Sequence, residues 1–101
     1  MSQNRLVISG TLIEINSLRH TPAGIPVMEF RIAHGSQQLE AGAPRAVECE
    51  LGAVAIGEPA KLMQGAKLGD AVRVEGFLAN RGKSTRHVVL HAIKIEFLEG
   101  T

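Results

Sequence analysis

The side chains best suited to chemistry in this chain of 101 residues are four histidines, His20, His34, His87 and His91, and a lone cysteine, Cys49. A metal site needs three or four such ligands, or carboxylates, at spacings that let them converge. These histidines have neither the spacing nor the acidic partners. His87 and His91 stand four apart; on a strand they share a face, but too far apart for one ion. Cys49 lies in Val47-Glu48-Cys49-Glu50-Leu51, an alternating segment in which it reads as a small buried hydrophobe rather than a reactive thiol. A single cysteine forms no internal disulfide, which suits a reducing compartment. No combination of serine, histidine and acid carries a nucleophile signature. Gly82-Lys83-Ser84 ends like a phosphate-binding loop, but no glycine stands five positions before Gly82. The expectation is no enzyme, no metal, no cofactor and no small-molecule substrate.

The basic residues point elsewhere. The net charge is only +1, so any electrostatic footprint must come from where the 11 Lys and Arg residues lie. Arg81, Lys83, Arg86 and His87 crowd one short segment, with no acid between Arg81 and Arg86. Arg19 and His20 sit in an earlier loop, Arg45 opens a later strand, and Arg31 points outward from another. Cations so placed can track a phosphate backbone, or can be the charges of a solvated hairpin, and pattern alone leaves both open. Aromatic side chains are scarce: Phe30, Phe77 and Phe97, without Trp or Tyr. Phe30 and Phe97 read as core by their parity; Phe77 is the one open to partial exposure, but it too reads as core rather than as a stacking platform.

The elements that must position these residues are short strands punctuated by glycine and proline. The length fits one domain over residues 1–101, and 45% apolar with 21% charged residues suits a globular chain. The apolar runs are too short to cross a bilayer, and the first residues lack the apolar stretch of a secretory signal, so a cytoplasmic location is expected. The first strand covers Arg5 to Asn16, and its apolar set changes parity near Gly10-Thr11, as in a strand bent to serve two sheets. The second covers Val27 to His34, with Met28, Phe30 and Ile32 inward. Gly35 to Pro44 reads as polar and flexible. The third strand, Arg45 to Leu51, places Val47, Cys49 and Leu51 inward. The one helical candidate lies in Gly52 to Gly65, with Pro59 at its first position. The fourth strand, Ala71 to Leu78, turns Val72 and Val74 inward. The fifth, Val88 to Leu98, turns Val89, Ile93, Ile95 and Phe97 inward. Five strands with at most one short helix between the third and fourth is the order of an all-β OB-fold barrel. In such barrels the loop after the first strand and the loop between the last two flank the ligand groove.

At these positions the chain resembles a known family. Residues Asn4 to Leu12 look like the opening strand of bacterial single-stranded DNA-binding proteins. Arg19 to Val27, with Phe30, is similar to their first loop and second strand, and Leu68 to Leu78 to their fourth. Length, Glu40-Ala41-Gly42 and Val89-Leu90-His91-Ala92-Ile93 bring the resemblance closest to the primosomal replication protein N (PriB) family. That resemblance covers nearly the whole chain. It implies a homodimer that binds single-stranded DNA at stalled forks, stimulates the PriA helicase and helps recruit DnaT. The hairpin is shorter than in better-known members, so its lysines are not matched to theirs one for one. The nucleic-acid contacts expected here follow from charge placement instead, with Arg81, Lys83, Arg86 and His87 in the hairpin, Arg19, His20 and Arg45 extending the path, and Arg31 contributing from the second strand. The chain departs from better-known members, which carry an exposed Phe and Trp for base stacking where Ala43 and Glu48 stand here. Stacking is worth roughly 1–3 kcal/mol per base, so binding here is expected to be mostly electrostatic. The rival readings are a primosome adaptor that binds DNA weakly, and an RNA-binding OB module.

Overall fold

A computed structural model describes residues 2–98. Six strands and one helix follow in order: β1 (Leu6–Ile15), β2 (Arg19–His20), β3 (Pro26–Glu40), β4 (Ala43–Ile56), α1 (Glu58–Met63), β5 (Ala71–Asn80) and β6 (Val88–Phe97). The two-residue β2 lies inside the expected first loop. The other five strands close a barrel in the order β1-β5-β6-β4-β3, with β3 returning to β1. All of these pairings are antiparallel except β4 with β6. This is the predicted five-stranded OB barrel, with its short helix between the third and fourth barrel strands.

Closure depends on β1 serving two partners. Leu6 to Thr11 pair with β5, and Thr11 to Ile15 pair with β3. Gly10 sits where β1 passes β3, and a Cβ there would collide with the Ala33 carbonyl and the Ile32 side chain. The parity change itself falls slightly later than the pattern suggests. The register slips between Leu12 and Glu14, so Leu12 is buried while Ile13 turns out to 40% exposure.

The barrel interior is filled by Leu12, Phe30, Ile32, Val72, Val74 and Leu90. The inward sets expected for β3 and β5 are all there: Met28, Phe30 and Ile32, then Val72 and Val74. Ala53 and Ala55, expected near the helix, instead end β4 and are buried. Gly57, at a φ of 80°, turns the chain into α1, where Pro59 occupies the first turn and loses no backbone bond. Ala60 and Met63 of that helix join the core.

Three expectations need correction. Gly35 to Pro44 is not a flexible loop: β3 and β4 continue as a paired arm, from His34↔Cys49 out to Glu40↔Ala43. The turn is Ala41-Gly42, with φ of 53° and 78°, the two positive values of a type I′ hairpin. Second, Cys49 is exposed, because the arm outruns the barrel and nothing covers its inner face there. Val47 and Leu51 on the same face are only half-buried. Third, β6 does not hold one parity. Glu75 pairs with Lys94 but Gly76 pairs with Ala92, which leaves Ile93 as an extra residue. Leu90 and Ala92 therefore face in before the bulge and Ile95 after it, while Ile93 stands 61% exposed. Val89 is half-buried, and Phe97, at 37% exposure, is not core.

Gly76 makes this bulge possible, since a Cβ on it would collide with the His91 carbonyl. Forced overpacking costs about 1–3 kcal/mol, so Gly76→Ala should lower the urea midpoint at unchanged slope. An unchanged midpoint would show that β5 and β6 can part at no cost.

Candidate nucleic-acid interface

The outer face of the barrel across β3, β4 and β6 carries a groove with cationic margins. Strand alternation aims Glu29 and Arg31 of β3 outward, opposite the buried Met28, Phe30 and Ile32. On β4 the corresponding positions are Val54 and Gly52. Gly52 keeps the floor low: a Cβ there would meet Arg31 Nη1 at 3.4 Å and Val89 Cγ1 at 3.7 Å. β6 contributes Val89 and His91, the latter in register with Val54.

Two loops flank this floor. On one side β2 presents Arg19, paired through the backbone with Val27. On the other, the β5–β6 loop presents Arg81, Arg86 and His87. The Arg81 N–H donates to the His87 carbonyl at 2.8 Å, and the His87 N–H donates to Thr85 Oγ1 at 3.0 Å. These bonds tie the loop's two ends together, so its cations project from a shaped hairpin.

The sequence-predicted residues divide accordingly. Arg31, Arg81, Arg86 and His87 line one groove of about 510 Å³, and Arg19 and Arg81 line a neighbouring one of about 450 Å³. Lys83 lies in the same loop as Arg81 and Arg86 but lines neither groove. His20 is exposed on β2 and also lines neither. Arg45 stands on the β3–β4 arm, where it ion-pairs with Glu40 across the turn.

Sequence reasoning missed the acids. Glu29, with 27% of its side chain exposed, holds Arg19 at 3.4 Å through one oxygen and Arg81 at 3.0 Å through the other. Glu50 holds Arg31 at 3.4 Å. These pairs join residues far apart in the chain, so no local spacing signals them. Partly exposed ion pairs of this kind are worth about 0–1 kcal/mol, so an incoming anion can replace the carboxylates at little cost. Among the described residues, Lys83, Arg86 and His87 make no ion pair.

A second omission is His91, whose ring stacks on Phe77 with centroids 4.9 Å apart and planes 7° from parallel. Recognising the Ile93 bulge would have turned His91 outward, because the inward residues before it are Leu90 and Ala92. Elsewhere, on the β1–β5 surface, the hydrogen bond from Arg5 Nε at 2.9 Å holds the Glu75 carboxyl below the usual carboxylate range. The same bond pushes the Arg5 guanidinium up. Among the described residues no cluster of His, Cys, Asp and Glu has the makings of a metal site. Among the described residues no helix is long and apolar enough to cross a membrane.

Comparison with known proteins agrees with this geometry. A family described as another single-strand binding protein family matches residues 4–94. Replication restart protein PriB of Bordetella pertussis is 40% identical over 98 residues, covering 97% of this chain and 92% of the relative. Its counterpart in Nitrosomonas europaea is 38% identical over 91 residues, covering 90% and 84%. Among solved structures, the priB protein of Ralstonia solanacearum superposes with a TM-score of 0.87 at 30% identity, over 97% of this chain and all of that one. The single-stranded DNA binding protein of Thermus aquaticus gives 0.75 at 26% identity, over 97% of this chain and 51% of the other. With the barrel, the flanked groove and these likenesses in agreement, the chain belongs to the replication restart protein PriB family, within the single-strand binding proteins.

Proposed function

We propose that this chain binds single-stranded DNA without catalysis and serves the restart of stalled replication, stimulating the PriA helicase and helping recruit DnaT. The observation that carries the reading is the groove of about 510 Å³ lined by Arg31, Arg81, Arg86 and His87. It brings four basic side chains to one groove, with Glu50 beside Arg31, and the neighbouring groove continues past Glu29 to Arg19. Lys83 reaches the strand from the loop tip, and His20 and Arg45 extend the cationic track beyond the groove. A cytoplasmic location fits such work on DNA.

Each phosphate contact contributes about −0.7 to the slope of log affinity against log salt for a single strand. Titration of a labelled oligo(dT) at several salt concentrations should therefore give a clearly negative slope. Changing Arg81, Lys83 and Arg86 together to alanine should flatten it by about 2. A slope near zero in the unmutated protein would sink the electrostatic mechanism, and an RNA oligomer run alongside tests DNA preference.

The carboxylates in the groove favour a second reading, a restart adaptor that holds DNA lightly and acts mainly through protein contacts. Glu29 engages two of the arginines that DNA would need. Glu29→Gln should then tighten oligo(dT) binding by about 2- to 5-fold, the worth of roughly one exposed ion pair. If the substitution tightened DNA binding in this way and the unmutated protein bound PriA more strongly than DNA, the adaptor reading would take precedence; unchanged DNA affinity would remove the carboxylate argument for it.

A homodimer accords with the open edge of β1. From Leu6 to Gly10 this strand pairs with β5 on one side. On the other side no described strand pairs with Leu6 to Gly10, although Gly10 passes close to β3 and the His34 Nδ1–H donates to the Ser9 carbonyl at 2.6 Å. A second copy can continue the sheet along that edge. Sedimentation should return twice the chain mass; a monomer at micromolar concentration would contradict the pairing.

A further inference from the structure

We propose that His91, backed by Phe77, is a stacking platform that seats one nucleobase of the bound strand, in place of the aromatic side chains this sequence lacks. The inference rests on the reading that the groove takes single-stranded DNA, and it adds a base-binding residue to a surface otherwise described by its charges. Phe30 is buried at 3% exposure, and Phe97 lies at the end of β6 in register with Val72, away from the groove. Phe77 is different. It stands 38% exposed and stacks on His91, which itself lies in register with Val54 and, through it, with Glu29. One row therefore crosses the sheet as Phe77, His91, Val54 and Glu29, running from an aromatic ring to the acid that holds Arg19 and Arg81.

The groove at that row has a volume of about 450 Å³, within the roughly 300–1,000 Å³ of small-molecule sites. Its apolar lining comes from Val27, Val54, Ile56 and Val89, and His91, Arg19 and Arg81 line it with them. An apolar lining and a π-face suit a flat uncharged ring, whereas the two arginines suit the phosphates on either side of it. The imidazole is also preorganised. Parallel stacking on Phe77 fixes its plane, and the close approach of β5 at Gly76 brings the two strands near enough for that stack. A ring already held flat loses little conformational freedom when a base lands on it.

The test separates stacking from charge by comparing oligo(dT) with a fully abasic oligomer of equal length, both titrated across salt. His91→Ala should weaken oligo(dT) binding by between about 5- and 150-fold, the loss of one stacked base, with the salt slope unchanged. The abasic oligomer should bind the variant and the unmutated protein alike, and His91→Phe should keep the preference for oligo(dT). Phe77→Leu, which removes the backing ring but not the imidazole, should lose part of that preference. Equal weakening of both oligomers by His91→Ala, or no weakening, would overturn the platform while leaving the electrostatic reading intact. Failure of the unmutated protein to bind either oligomer would overturn both.

Discussion

A small barrel closes only if the backbones of neighbouring strands come closer than side chains allow, and this chain meets that demand at two glycines. Gly10 lets β1 cross from β5 to β3, and Gly76 lets β5 press against the His91 carbonyl of β6. The closure of the barrel and the outward face of β6 follow from those two approaches. The first joins the ends of the sheet and encloses Leu12, Ile32 and Val72. The second sets the bulge that turns Ile93 out and leaves His91 on the outer face. Neither glycine stands in a turn, and neither has a positive φ. Their value lies in what they leave out.

Much of this was legible in the sequence, and the legible parts share a physical cause. Met28, Phe30 and Ile32 alternate because β3 has one buried face inside the barrel, and Val72 and Val74 do the same on β5. Pro59 marks the start of α1 because a missing N–H costs nothing in a first turn. The illegible parts arise where one residue is added or one neighbour is absent. Ile13 and Ile93 are single insertions, and each inverts the parity of whatever follows. The β3–β4 arm escaped notice because its Ala41-Gly42 turn lacks the usual Asn-Gly or Asp-Gly cue. Beyond the barrel its faces have nothing to pack against, so they carry no alternation strong enough to read. Cys49 looked buried for the same reason, since alternation says which face a residue takes, not whether anything covers that face.

The candidate site divides in the same way. Residue type and loop position pointed to Arg19, Arg31, Arg81 and Arg86 as groove cations, because permanent positive charge clustered in exposed segments needs no tertiary information to recognise. Which of them stand free does need it. Glu29 meets Arg81 from a strand far away in sequence, and only the curvature of the closed barrel brings the β5–β6 loop over β3. His91 was hidden by the same bulge that defeated the reading of β6.

The carboxylate between Arg19 and Arg81 has a consequence for which ligands the groove can tell apart. A lone phosphate gains little by displacing Glu29, because it exchanges one oxyanion for another at nearly equal free energy. A polymer meets the same exchange at several positions at once. After its first contact, each further one is effectively intramolecular, so small advantages multiply along the chain. On the proposed binding, mononucleotides and free phosphate would therefore compete poorly for this surface even when abundant. On that binding Glu29 would set a threshold on valency, which a continuous strand crosses.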